Sequence, residues 1–99
     1  MGYASQTMYA QVMHANTMPE IDRNARLAPW KQIAAALRNG MADGTYPPGT
    51  PLPSVARIVQ EGGVARRTAI KALLAMAGEG LAELEPGMGY YVTGHSVPR

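Results

Sequence analysis

Residues 45–53, TYPPGTPLP, forbid a helix in the middle of this 99-residue chain. Pro47, Pro48 and Pro51 crowd around Gly49, and each proline removes a backbone donor and fixes φ, so the stretch reads as a rigid connection. Whatever folds must be arranged on either side of that joint. Upstream, APWKQIAAALRNGMADG opens with Pro29, which suits a first helical position. It places Trp30, Ile33, Ala34, Leu37 and Met41 at spacings of three and four, and it stops near Gly44. This is an amphipathic first helix.

Downstream, Ser54 is placed to cap SVARIVQEG, a short second helix with Val55, Ile58 and Val59 on one face. Gly62 and Gly63 break it. VARRTAIKALLAMAGEG then resumes as a third helix that ends at Gly80. Leu81 to Glu85 and Tyr90 to Thr93 read as strands, and PGMG between them reads as a hairpin turn. The order predicts a mainly α domain with a small β-hairpin: a winged helix-turn-helix of three helices and a two-stranded wing, over residues 29–94. A tail follows at 95–99. Residues 1–28 form an N-terminal extension in which Met8, Tyr9, Val12 and Met13 have helical spacing and PEIDRNAR follows as a polar run. A short helix with a linker and a disordered tail both fit that extension.

Composition narrows the function. Hydrophobic residues make up 46% of the chain, enough for one small core, and with no cysteine that core must hold the fold without disulfides or thiolate metal sites. His14 and His95 are the only histidines, near opposite ends of the chain, and no acid pair or phosphate loop accompanies them. Neither an enzyme nor a metal or cofactor protein is expected. No apolar run approaches the roughly 20 residues that span a bilayer, and the N-terminus lacks a secretory signal, so a soluble cytoplasmic protein without a membrane partner is expected.

The net charge is only +2, but its distribution is uneven. Between Pro53 and Met76, Arg57, Arg66, Arg67 and Lys71 face a single acid, Glu61, whereas from Ala77 to Pro98 the charged residues are Glu79, Glu83 and Glu85. Cations gathered at the start of the second helix of a helix-turn-helix suit a rod that enters the major groove of DNA. There Arg66 and Arg67 can meet phosphates or donate two parallel bonds to guanine O6 and N7, and Thr68 can reach a phosphate or a thymine methyl. A winged helix used as a protein-interaction module, without sequence-specific DNA binding, is the competing reading.

The segments PWKQIAAALRNGMADGTYPPGTPLPS, GVARRTAIKALLAMAGEGLAE and GMGYYV together resemble the N-terminal DNA-binding domain of the GntR family of bacterial transcription regulators. The resemblance covers roughly residues 29–93. It rests on Pro48, Gly49, Leu52, Pro53, Ser54, Gly63, Val64, Arg66, Thr68, Glu79, Gly80, Leu81, Gly87 and Gly89 in order. It implies a sequence-specific regulator of repressor type, with double-stranded DNA as partner and a homodimer on DNA. By the resemblance, Arg66, Arg67 and Thr68 fall on the DNA-contacting start of the recognition helix and Gly89 in the wing; Ser54, Arg57, Ile70, Lys71 and Gly87 complete the expected binding residues. Two arginines common in the family are replaced by Ala56 and Ile70, with the basic residues one step along at Arg57 and Lys71, and the wing tip is Met88 between acidic neighbours.

The resemblance also settles a conflict of register. Hydrophobicity alone would bury Ile70, Leu73, Leu74 and Ala77, whereas the family pattern buries Ala69, Ala72, Leu73 and Met76. The second register is adopted here, and it turns Ile70 toward the groove, where it can pack on a thymine methyl. Members of the family usually continue into a larger C-terminal domain that binds a small-molecule effector and dimerises. This chain ends soon after the wing, as part of a longer regulator or as a stand-alone domain, and no effector site is expected within it. Residues 6–15, rich in methionine, are then available as a dimer contact or as packing for the first helix.

Overall fold

Ile33, Leu37, Ile58, Leu73 and Met76 are sealed from solvent at the meeting point of three helices, and a two-stranded hairpin closes one side of that core. The computed structural model describes residues 21–94. Residues 6–15, both histidines and the 95–99 tail lie outside the described residues. The elements are α1 (Pro29–Ala42), α2 (Val55–Gly62), α3 (Arg66–Gly78), β1 (Ala82–Glu85) and β2 (Gly89–Val92). This is the winged helix-turn-helix that the sequence predicts.

α1 starts at Pro29 and buries Ile33, Ala34, Leu37 and Gly40. It ends two residues before Gly44, because the Asp43 amide bonds the Asn39 carbonyl and the Asp43 carboxylate accepts from the Thr45 amide. Gly40 is glycine for a packing reason: a Cβ there would run into the ring of Tyr46, itself buried, whose amide donates to the Gly40 carbonyl at 2.9 Å.

The proline-rich connection does more than separate two helices. Gly49 and Leu52 donate to the carbonyls of Val92 and Tyr90 at 2.9 and 2.8 Å, and the Val92 amide donates to Thr50 at 2.9 Å. Pro51 faces Tyr91 in an isolated bridge. The connection therefore lies along the outer edge of β2, where a proline is tolerated because it need not donate.

α2 begins at Ser54, whose Oγ accepts from the Arg57 amide at 3.0 Å, and it ends at Gly63, whose φ of 67° is left-handed. That conformation, nearly free only for glycine, turns the chain directly into α3. α3 buries Ala69, Ala72, Leu73 and Met76, which is the adopted register. Leu74 is 54% exposed, and Ile70 and Ala77 are half-buried, so the register given by hydrophobicity alone is wrong. α1 and α3 pack closely, with the small Ala69 and Ala72 among the residues α3 buries.

β1 pairs antiparallel with β2 in the register Ala82↔Val92, Glu83↔Tyr91, Leu84↔Tyr90 and Glu85↔Gly89. Both strands start one residue away from the expected position. The Leu81 amide still closes α3 on the Met76 carbonyl at 2.9 Å, and Gly89 pairs with Glu85.

Residues 21–28 fold back on the domain. Ile21 is 8% exposed, within the core, and the Gln32 amide group donates to the carbonyls of Asp22 and Leu27 while accepting from the Asp22 amide. The Arg23 guanidinium donates to the Gly63 carbonyl at the turn between α2 and α3. Among the described residues, no helix is long and apolar enough to cross a membrane.

Candidate nucleic-acid interface

α3 enters through Val64, buried, and Ala65, whose side chain offers no cap. Its first turn carries Arg66 and Arg67, both exposed, and no acidic residue. Such a start has the wrong sign for a helix. The N-terminal end of the macrodipole is positive, and each cation there costs roughly 0.3–1 kcal/mol where an acid would stabilise. Neither arginine lies within ion-pair distance of a carboxylate among the described residues. The end of α3 therefore presents concentrated positive potential to solvent.

The other expected residues distribute around this point. Thr68 is half-buried and its amide bonds the Ala65 carbonyl at 3.0 Å. Ile70 is half-buried, less outward than the groove-facing position expected of it. Lys71 is exposed, and its ammonium sits 4.9 Å from the centre of the Trp30 ring. Ser54 uses its oxygen as the α2 cap. Arg57 points along α2, with Nε 3.0 Å from a Glu61 carboxylate oxygen one turn on, so part of its charge is answered within the helix. Gly87 and Gly89 flank the hairpin tip with positive φ, Met88 between them is 70% exposed, and Glu83 and Glu85 are exposed on β1.

Two features were not read from the sequence. Trp30 has helical spacing with the core residues of α1, yet its half-buried ring also receives two ammoniums, from Lys71 and, at 5.7 Å, from Lys31. A lone tryptophan followed directly by lysine was the available signal. Arg38 and Glu79 form a bidentate pair at 2.9 and 2.7 Å between α1 and the end of α3. Hydrogen bonding from Arg38 holds the Glu79 carboxyl below the usual carboxylate range, and Arg38 is raised in return.

Three helices with a short turn before the third, followed by a hairpin, define the winged helix-turn-helix class. Residues 29–92 match the model of the bacterial regulatory proteins of the gntR family, and the chain belongs to that family. The structure is similar to that of YtrA from Sulfolobus acidocaldarius, a GntR-family transcription factor, with TM-score 0.72 and 28% identity over 80% of this chain and 83% of the other. It is also similar to a GntR family transcriptional regulator from Listeria monocytogenes, with TM-score 0.69 and 24% identity over 76% of this chain and 64% of the other. The chain thus spans less than two thirds of that regulator's length. A third likeness is to AraR(DBD) in complex with operator ORX1, with TM-score 0.73 and 21% identity over 78% of this chain and 98% of the other. At 21% and 24% identity the likeness is one of fold. No match exists among the curated proteins compared.

Proposed function

We propose that this chain binds double-stranded DNA in a sequence-specific manner, placing α3 in the major groove, and that it regulates transcription as a cytoplasmic repressor. The observation that carries the reading is the start of α3: two exposed arginines with no carboxylate partner among the described residues, no acid in the first turn and no capping side chain. A helix so disfavoured in isolation is matched to an anionic partner. The operator-bound AraR domain gives a precedent for the same fold on DNA. Arg66 and Arg67 then read guanine edges or hold phosphates, Thr68 and Ile70 contact the groove wall, and the α2 start, with Ser54 and Arg57, approaches the backbone. The hairpin around Gly87 and Gly89 lies against the neighbouring groove, with little phosphate attraction because Glu83 and Glu85 flank an uncharged tip. Residues 29–94 constitute the binding domain in this reading, and the regulator acts as a pair on two half-sites.

Titration of labelled duplex at 50 and 200 mM salt tests the reading. Affinity falls steeply with salt, and Arg66→Ala weakens binding to the preferred sequence by about 1–3 kcal/mol while relaxing preference at one base position. Binding that is absent or indifferent to salt overturns it, in favour of a protein-interaction module.

A further inference from the structure

Two ammoniums converge on the ring of Trp30, one from the element just described and one from α1, which the DNA-binding reading leaves unused. Lys71 reaches the ring from the exposed side of α3, at 4.9 Å, and Lys31 reaches it from the residue next to Trp30, at 5.7 Å. The ring attracts each cation through its quadrupole but neutralises neither. Two arginines of the helical domain are answered instead by carboxylates: Arg38 of α1 by Glu79, and Arg57 of α2 by Glu61. Among the described residues, Lys31 and Lys71 have no carboxylate within ion-pair distance, and the first turns of α1 and α3 hold no acid.

Lysine stems are long and free to move apart in water, so like charges held at one ring raise the local potential unless an anion lies beside them. The position of the ring identifies that anion. Lys71 stands five residues beyond Arg66 on the same helix, about 7.5 Å further along the axis. With α3 in the major groove as proposed above, that offset takes Lys71 beyond the base-reading start of the helix, toward the sugar-phosphate strand. Contacts there fix the register of a protein on DNA without reading sequence.

We infer that Lys31 joins Lys71 over Trp30 to form a seat for a backbone phosphate of the DNA held by α3, with Trp30 as the residue that positions both ammoniums. The inference rests on the DNA-binding reading and adds to it a contact from α1.

The test uses the full chain and fluorescence polarisation of a labelled duplex, preferred and random, at several salt concentrations. Loss of one phosphate contact lowers the slope of log K against log salt by about 0.9. Lys31→Gln lowers the slope by that amount and weakens preferred and random duplex by the same factor. Its deficit is therefore about threefold larger at 50 mM than at 200 mM salt. Trp30→Phe, which keeps an aromatic face, retains the wild-type slope. Trp30→Leu, checked for a cooperative thermal transition, lowers it. A purely structural role for Trp30 would move stability and leave the slope alone. If Lys31→Gln matches the wild type in slope and affinity while Arg66→Ala still loses the preferred site, the phosphate seat is refuted and the DNA-binding reading stands. A loss confined to the preferred duplex also refutes it, and a wild-type chain that binds no duplex overturns both.

Discussion

Tyr46 lies so close to Gly40 that a residue of the proline-rich connection decides what α1 can carry near its end. In an exposed helix, alanine in place of glycine would stabilise by about 1 kcal/mol. Here the added methyl meets a ring that is buried and tethered by its amide to Gly40 itself, and such overpacking costs about 1–3 kcal/mol. Gly40→Ala is therefore expected to lower stability in urea unfolding by about 1 kcal/mol, the sign opposite to propensity; an increase would mean that Tyr46 moves aside freely. At this scale the sequence is uneven as a guide. Arg66 and Arg67 were legible because exposed cations in a first turn need only local context. The role of Trp30 was not, since Lys71 arrives from another helix, and no local spacing encodes that meeting.

α3 shows what helical periodicity can and cannot decide. Its apolar residues wrap more than half of the helix, so hydrophobicity alone selects a face that includes Leu74. Packing against α1 selects one that contains Ala69 and Ala72. Two neighbouring leucines separate the registers. Leu73→Ala, at a site 1% exposed, is expected to cost about 2–5 kcal/mol, and Leu74→Gln to stay within about 0.5 kcal/mol of the wild type. Equal effects in thermal unfolding would contradict the observed register. Helix ends were legible in this chain because Pro29, Ser54 and the glycine at 63 each punctuate by their own backbone chemistry. The pairing of residues 49–52 with β2 was not. Prolines argue locally against a strand, and the partner lies far along the chain.

At the scale of the molecule, Arg38 and Glu79 clasp α1 to the end of α3 across the domain. Because the folded carboxyl of Glu79 titrates below its unfolded value, the clasp contributes stability that is present above the unfolded pKa and lost as pH falls through the folded one. Both side chains are more than a third exposed, so the contribution is no more than about 1 kcal/mol and shrinks with salt. The stability difference between wild type and Glu79→Gln, measured by urea unfolding, should accordingly narrow from pH 7 toward pH ~3. A difference that holds constant would remove the clasp from the account. A lone winged helix reads too few bases to single out one operator among about 10⁶ competing sites. Sedimentation of the complex should therefore give two chains per duplex, whereas a strictly one-to-one complex on the best site would refute pairing. The wing has a further consequence, for behaviour in crowded solution. Residues 49–52 cover the outer edge of β2, which leaves β1 as the uncovered margin of the ribbon among the described residues. An uncovered strand is a template for stacking with other chains. Glu83 and Glu85 set carboxylates along this one, so two copies approaching margin to margin meet mutual repulsion. The same two acids thus guard the wing against self-association into sheets.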